Sequence, residues 1–357
     1  MVSYSVPYLS DCDDLLKMAQ GGLTLLRYKT PATAGLGAYR SVVYEGGNLV
    51  GFSTPKFGKL HECETLPFHE LQARQYMDGT MVYAYFAENE WKVSTRGTLT
   101  AETVYRCGVA PPPAFIEGAR LGSPRGATIK TLFWELADEV NLLNFLQPGT
   151  TYVFSLMHPE AFNVVKDRRL YFITAYTVAA QTAQRVDVPE WFPLPKPPLM
   201  LFESMQAVLD TVSGSGPHFK GIVLHHPPTD RFFKVMNEAF LRVHALLPYA
   251  NLNKCLLQML PKVNDLNYFL TLYPEHAVNV HQLRINLAVF ANRLLDQYRQ
   301  CFVFKQKVHR DFHPRYRGHM YNLHGIYLTK PERRSLRLCD VTQYLETCTV
   351  DSLCFLL

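Results

Sequence analysis

The chain has 357 residues, 36 Lys plus Arg against 31 Asp plus Glu, a formal charge of +5, 48% hydrophobic residues and 13% aromatics. These proportions suit a globular protein with room for about two domains and exclude a disordered, collagen-like or miniprotein chain. No apolar run approaches the roughly 20 residues that a bilayer-crossing helix needs. The opening MVSYSVPYLSDCDDLLK has neither a basic leader nor a long apolar stretch, so an intracellular protein with no membrane partner is expected.

Ser10 and Asp11 followed by CDDLLKMAQ and the pair Gly21-Gly22 predict a short helix, from a capping residue, early acids and a glycine stop. From Leu23 to about Thr100 the runs LTLLRY, YRSVVYE, NLVGFST, TMVYAYFA and EWKVST, parted by turn residues, predict strands of a mostly antiparallel sheet. Two Pro/Gly-rich stretches, Val109 to Gly126 and Val186 to Pro198, read as loops. Between them TLFWELADEVNLLNFL carries Leu132, Phe133, Leu136, Val140 and Leu143 at helical spacing, and is followed by the strand-like TTYVFSLM and RLYFITAYTV, so a helix should pack across a sheet.

Further on, FKGIVLHH and RFFKVM predict a hairpin joined by Pro227-Pro228-Thr229-Asp230, and from Asn237 the pattern turns helical. The longest helix is expected over about Val280 to Phe302, with Val280, Leu283, Leu287, Phe290, Leu294 and Tyr298 on one face. The domain boundary is placed near 245, giving a mixed domain over 1–245 and a helical domain over 246–357.

Eight cysteines, at 12, 63, 107, 255, 301, 339, 348 and 354, contain no CxxC pair, which predicts reduced thiols in a reducing compartment and no zinc site. Gly35-Leu36-Gly37-Ala38-Tyr39-Arg40 lacks the third glycine and the following helix of a dinucleotide fingerprint. His309, His313, His319 and His324 lack a matching Cys or carboxylate, and His225-His226 has no nucleophile beside it in sequence, so no metal site and no hydrolase triad is expected.

The segment Lys305 to Arg337 carries a charge of +7 and the remainder −2. Lys305, Lys307, Arg310, Arg315, Arg317, Arg333, Arg334 and Arg337, interleaved with Phe312, Tyr316, Tyr321 and Tyr327, form a candidate RNA-binding patch. A solvated basic face is the competing reading.

An ordered series of short motifs carries more information. It runs Tyr39-Arg40-Ser41-Val42-Val43-Tyr44-Glu45, Ser53-Thr54-Pro55-Lys56-Phe57, Tyr76-Met77-Asp78-Gly79-Thr80 and Ser94-Thr95-Arg96-Gly97. It continues with Phe154-Ser155-Leu156-Met157-His158-Pro159-Glu160, Phe219-Lys220-Gly221-Ile222-Val223, Phe233-Lys234-Val235-Met236, the helical Phe240-Leu241-Arg242-Val243-His244, and the C-terminal GHMYNLHGIYL and VTQYLE. In order and spacing this series resembles the phage and large-virus RNA ligase 1 family.

The resemblance implies an α+β covalent nucleotidyltransferase domain, with antiparallel sheets and flanking helices of ATP-grasp-like type, followed by an all-α domain. In that family a lysine attacks the α-phosphate of ATP, holds AMP and passes it to an RNA 5′-phosphate. Here the nucleophile position is Tyr76, ahead of the retained Asp78 and Gly79. A phenol with a pKa of about 10 is protonated at neutral pH and cannot form the phosphoramidate. The ribose-reading glutamate corresponds to Ser155, the metal-associated glutamate to Lys220, and the second lysine of the last motif to Met236.

Arg40, Lys56, Arg96 and Lys234 keep their charge and are expected to bind phosphate or nucleotide. The chain is therefore expected to be a catalytically degenerate ligase-like protein with no cofactor, binding RNA or phosphate, within a ribonucleoprotein or viral assembly. The alternatives are an active ligase, using ATP and Mg²⁺ through a displaced nucleophile at Lys56, Lys59 or Lys92 or through Tyr76 itself, and a structural subunit that docks protein partners through Trp191 to Pro198.

Overall fold

The computed structural model describes residues 3–6, 15–28, 40–103, 127–159, 163–248, 251–329 and 335–356. Its strands are β1 (Ser3–Ser5), β2 (Leu15–Gln20), β3 (Leu23–Tyr28), β4 (Ser41–Glu45), β5 (Asn48–Phe52), β6 (Gln72–Gln75) and β7 (Thr80–Ala87). They continue with β8 (Glu90–Thr95), β9 (Thr150–Met157), β10 (Arg169–Ala179), β11 (Thr182–Val186), β12 (Leu199–Met200), β13 (Gly221–His226) and β14 (Arg231–Met236). The helices are α1 (Leu60–Cys63), α2 (Ile129–Glu139), α3 (Met205–Gly214), α4 (Glu238–Ala245) and α5 (Leu252–Met259). After these come α6 (Val263–Leu272), α7 (Ala277–Tyr298), α8 (Pro314–Thr329), α9 (Leu338–Glu346) and α10 (Val350–Leu356).

The protein is of mixed α+β class with antiparallel sheets and a helical C-terminal region. Two compact units divide it, the first reaching Ala245 and the second running from Leu246.

In the first unit the strands form a six-stranded sheet in the order β1-β11-β10-β9-β7-β8 and two four-stranded sheets, β2-β3-β4-β5 and β12-β6-β13-β14. Strand alternation explains the layering. Along β7, Val82 and Ala84 join the core under α2 with Leu132, Phe133 and Leu136, whereas Tyr83, Tyr85 and Ala87 join the core shared with Leu25, Val43 and Phe52 of the β2–β5 sheet. Both faces of the six-stranded sheet are thus covered. The remaining sheet turns Ala73, Ile222, Leu224, Phe233 and Val235 toward Val208 and Val212 of α3. Its other face carries the neighbours Arg74, Val223, His225 and Phe232, which line a cavity.

Three expectations are corrected. The helix expected in CDDLLKMAQ is strand β2 over its described part, paired with β3 through Gly21-Gly22, and residues 10–14 lie outside the described residues. A glycine pair after a short apolar run serves a two-residue hairpin as readily as a helix stop, and Gly21 has the positive φ of +61° that such turns use. The expected helix from Thr131 to Leu146 ends at Glu139, because Asn141 takes a left-handed φ of 50° before a short 3₁₀ turn over Leu142–Phe145. The stretch Trp191 to Pro198 is not uniformly exposed: Trp191 is 69% exposed, but Phe192 and Leu194 are buried, and the Phe192 ring stacks on Tyr152.

The second unit is all helical among its described residues. Helix α7 buries Val280, Leu283, Phe290, Leu294 and Tyr298 and continues into a π-helical turn over Arg299–Val303. It packs against α8 and α9, and α5 packs against α10. The long helix thus forms where the three- and four-residue apolar spacing places it.

Among the described residues no helix is long and apolar enough to cross a membrane. No group of three His, Cys, Asp or Glu among them could hold a metal.

Candidate functional site

In the first unit a cavity of about 200 Å³ is walled by the rings of Phe57, Tyr76, Phe172 and Phe232 and by the cations Arg40, Arg74, Arg185 and Lys196. Strand pairing assembles it. β6 pairs with β13 through Arg74↔Val223, and β9 sits between β7 and β10 with Ser155 opposite Met81 and Tyr171. A bulge in β10 between Phe172 and Thr174 turns both Ile173 and Thr174 to the cavity. Tyr76 forms part of the wall of this cavity, and Met236 is not among its lining residues.

Tyr76 lies at the centre of a cation-rich cluster. Its ring meets Phe57 edge-on at 5.8 Å between centroids, and Lys220 Nζ lies 4.2 Å from its own centroid. The Arg40 guanidinium stands 4.5 Å over the Phe57 ring and Lys234 Nζ 5.7 Å from the same ring, so three cations converge on two aromatic faces. Burial pushes the Tyr76 phenol above its ordinary range, with Arg40 opposing and Asp78 reinforcing the shift. Burial also disfavours the charge on Lys220, partly offset by Asp78 and reinforced by Lys234 and Arg40. Lys234 is lowered in the same sense by burial and by Arg40, and Arg40 by burial and by Arg96.

The retained Asp78 and Gly79 have structural explanations. Asp78 Oδ2 accepts the backbone N–H groups of Val164 at 2.8 Å and Val165 at 3.2 Å, and burial holds its carboxyl above the usual range against the field of Lys220. Gly79 passes so close to β9 that a β-carbon there would overlap Ser155 Oγ. Ser155 Oγ and Thr174 Oγ1 are buried, line the cavity and have no hydrogen-bond partner among the described residues. Buried hydroxyls without partners cost free energy unless a ligand or water supplies the missing bond.

At the far wall Asp230 Oδ1 accepts from Arg185 Nη1 at 2.7 Å and lies 2.7 Å from His225 Nε2, while Tyr4 Oη donates to Oδ2 at 2.9 Å. His225 stacks on Phe232 at 4.3 Å. Burial lowers the His225 pKa and Arg185 adds to this against the pull of Asp230. At Asp230 the hydrogen bonds from His225 and Arg185 outweigh burial and hold the carboxyl below its ordinary range.

A folded-state pKa below the unfolded one means that the unfolded chain binds more protons, so stability rises with pH across that window. Stability is therefore expected to fall as pH drops below about 6.5, with a further loss below about 4 as Asp230 protonates. Denaturant melts at stepped pH check this. His225→Asn should flatten the upper part of the profile, and an unchanged profile would show that His225 does not carry it.

The remaining candidates are dispersed. Arg96 is exposed beyond β8 and near enough to Lys56 to reinforce the lowering that burial imposes there. Met236 follows Phe232 and Lys234 on the cavity-facing side of β14, opposite Gly221. Lys92 is held by Glu88 and Glu90 at 2.7 Å each, and these carboxylates raise its pKa against burial, which is unfavourable for a nucleophile. Lys59 is exposed. Tyr39 lies outside the described residues.

In the second unit Lys305, Lys307, Arg310 and Arg337 are exposed. Arg317 donates instead to the carbonyls of Phe312 and Arg310, and Arg315 to the Tyr316 hydroxyl. Phe312 and Tyr316 are buried, which removes them as stacking rings, whereas Tyr321 is 57% exposed. Arg333 and Arg334 lie outside the described residues. Arg74, Arg185, Lys196, Thr174 and His225 had no motif to announce them. Apart from Lys196, which lies in the Pro-rich loop ahead of β12, their only sequence signal was a polar residue within a short strand.

A scan of protein families and a search of curated proteins each find no match. Among solved structures the chain is similar to a Naegleria gruberi RNA ligase with PPi, at 14% identity over 61% of this chain and 64% of that one, with a TM-score of 0.38. It is also similar to an archaeal ATP-dependent RNA ligase, at 14% identity over 65% of this chain and 60% of that one, with a TM-score of 0.39. In both cases less than two thirds of the solved chain is spanned.

Proposed function

We propose that this protein is built on an RNA-ligase-like nucleotidyltransferase domain over 1–245 and a helical domain over 246–357, and that it binds the phosphate of a nucleotide or of an RNA 5′ end without forming a covalent nucleotide adduct. The observation that carries the reading is Tyr76. A phenol heads the Asp78–Gly79 motif, walls the cavity, is pushed further from ionisation by burial, and is surrounded by Arg40, Lys220 and Lys234. Binding determinants are kept while the amine is missing from the motif. The basic segment of the second unit supplies a further RNA contact through Lys305, Lys307, Arg310 and Arg337, and exposed Trp191 offers a contact within a ribonucleoprotein or viral assembly.

Incubation with α-labelled ATP and Mg²⁺ or Mn²⁺, followed by denaturation, is expected to leave no label on the protein. Under the same conditions without denaturation, a 5′-phosphorylated ribo-oligonucleotide should bind with an affinity that falls as salt rises. A label that survives denaturation and maps to one peptide would establish the active ligase that uses ATP and a divalent metal.

A further inference from the structure

The cluster on Phe57 and Tyr76 is unusual in its charge balance. Arg40, Lys220 and Lys234 converge on it, yet no ion pair joins any of the three to a carboxylate among the described residues. Asp78 reaches Lys220 only through its field, and one of its oxygens already accepts two backbone N–H groups. Lys220 Nζ donates a hydrogen bond to Met77 O at 3.2 Å, and the residue is part-buried. Cations brought together without counter-ions repel one another: Arg40 opposes the charge of both lysines and Lys234 that of Lys220, and burial adds to the cost at Arg40 and Lys220. An anion entering the cavity beside Arg40 relieves the cost, whereas a divalent cation entering there meets like charge.

Arg40 and Tyr76 line the same cavity as the unpartnered Ser155 and Thr174 hydroxyls, so the anion should carry a hydrogen-bonding portion.

We infer that the cleft binds its nucleoside phosphate without a divalent cation, and that Arg40, Lys220 and Lys234 supply fixed positive charge in the metal's place. This rests on the reading of the cleft as a phosphate-binding site and adds the claim of metal independence. In this arrangement Arg40 is the charge that lines the cavity, and Lys220 and Lys234 stand on the Tyr76 and Phe57 rings of its wall. The phosphate lies on the cavity side of the two rings, while Ser155 and Thr174 complete their hydrogen bonds on the sugar or base. No bond is made or broken.

The test is equilibrium binding of ATP to the full chain, measured once in excess EDTA and once in excess Mg²⁺. Affinity in EDTA is expected to equal or exceed that in Mg²⁺. Lys220→Glu should weaken binding in EDTA by at least about 100-fold and regain much of it in Mg²⁺, because an acid now invites the cation that the lysine replaced. Lys220→Met, which keeps length without charge, should lose about 10-fold or more in EDTA and less in Mg²⁺, with a melting temperature checked to show that it folds.

Binding by the parent chain that requires Mg²⁺ would overturn the inference and leave the phosphate site standing. Equal losses for Lys220→Met in both conditions would reduce the lysine to a structural role and also overturn it. No binding of ATP, with or without metal, would remove the cleft reading itself. Inorganic pyrophosphate, run as a second probe, should bind more weakly than ATP, since it cannot satisfy Ser155 and Thr174.

Discussion

Replacing Gly221 by alanine is expected to destabilise the first unit by about 2–4 kcal/mol and to abolish ligand binding in the cleft. Two costs add at this one position. The backbone holds φ at +144°, a conformation that residues with a β-carbon rarely adopt, and a β-carbon built there would overlap the Val235 carbonyl oxygen on the partner strand. Relief requires β13 and β14 to separate at Gly221↔Met236, the register that places Lys234 two residues away. Gly221 O also accepts the Tyr76 N–H at 2.9 Å, and Lys220 O accepts from Asn237 at 3.0 Å, so a shift of this strand end moves Tyr76 and Lys220 together. Denaturant unfolding of parent and variant measures the first effect and ATP titration the second. A difference below about 0.5 kcal/mol would mean that the strand end yields easily and that the geometry at Tyr76 is not set by this glycine.

Arg40→Ala is expected to weaken nucleoside-phosphate binding by roughly 10–100-fold, the size of one or two lost charge-assisted hydrogen bonds. Arg40 is the strongest candidate for phosphate contact because it lines the cavity, stands over Phe57 at 4.5 Å and precedes β4 at a point fixed by the Ser41 N–H to Ser53 Oγ bond of 2.8 Å. The loss should shrink as salt is raised, and Arg40→Lys should recover only part of it, since an ammonium cannot reproduce the planar fork of the guanidinium. Stability should change little or improve slightly, because burial and the neighbouring Arg96 already disfavour this charge in the unliganded protein. Equal affinity for parent and Arg40→Ala would show that Arg40 serves only to pack Phe57.

Legibility in the sequence divides along a physical line. β7, β9, β10, β13 and β14 could be read directly, because short runs of apolar, β-branched and aromatic residues bounded by turn residues mark strands, and the long α7 helix declared itself by its three- and four-residue spacing. β6 could not. Gln72–Gln75 has one apolar residue, and it is a strand because β13 and β12 flank it. β2 was mistaken for a helix for a related reason: six residues ahead of a glycine pair contain too little period to separate a hairpin arm from a helical turn.

The candidate site divides in the same way. The amine missing at position 76, the retained Asp78 and Gly79, and the cations at 40, 56, 96 and 234 were all visible as residue types in an ordered series. The convergence of Arg40 and Lys234 on the Phe57 ring was not. Arg74, Lys196 and His225 share one cavity with Arg40, although they lie tens to hundreds of positions apart in the chain. Lys220, read from sequence only as a lost acid, proves to be the cation against Tyr76.

By itself the sequence determined the apolar runs of the strands, the helix period, and that a phenol rather than an amine stands at position 76, because these depend on local residue type and spacing. The tertiary structure alone decided which cations share the Phe57 and Tyr76 rings and which hydroxyls are left without partners. Those proximities are created by pairing strands that are distant in sequence, and no local pattern encodes them.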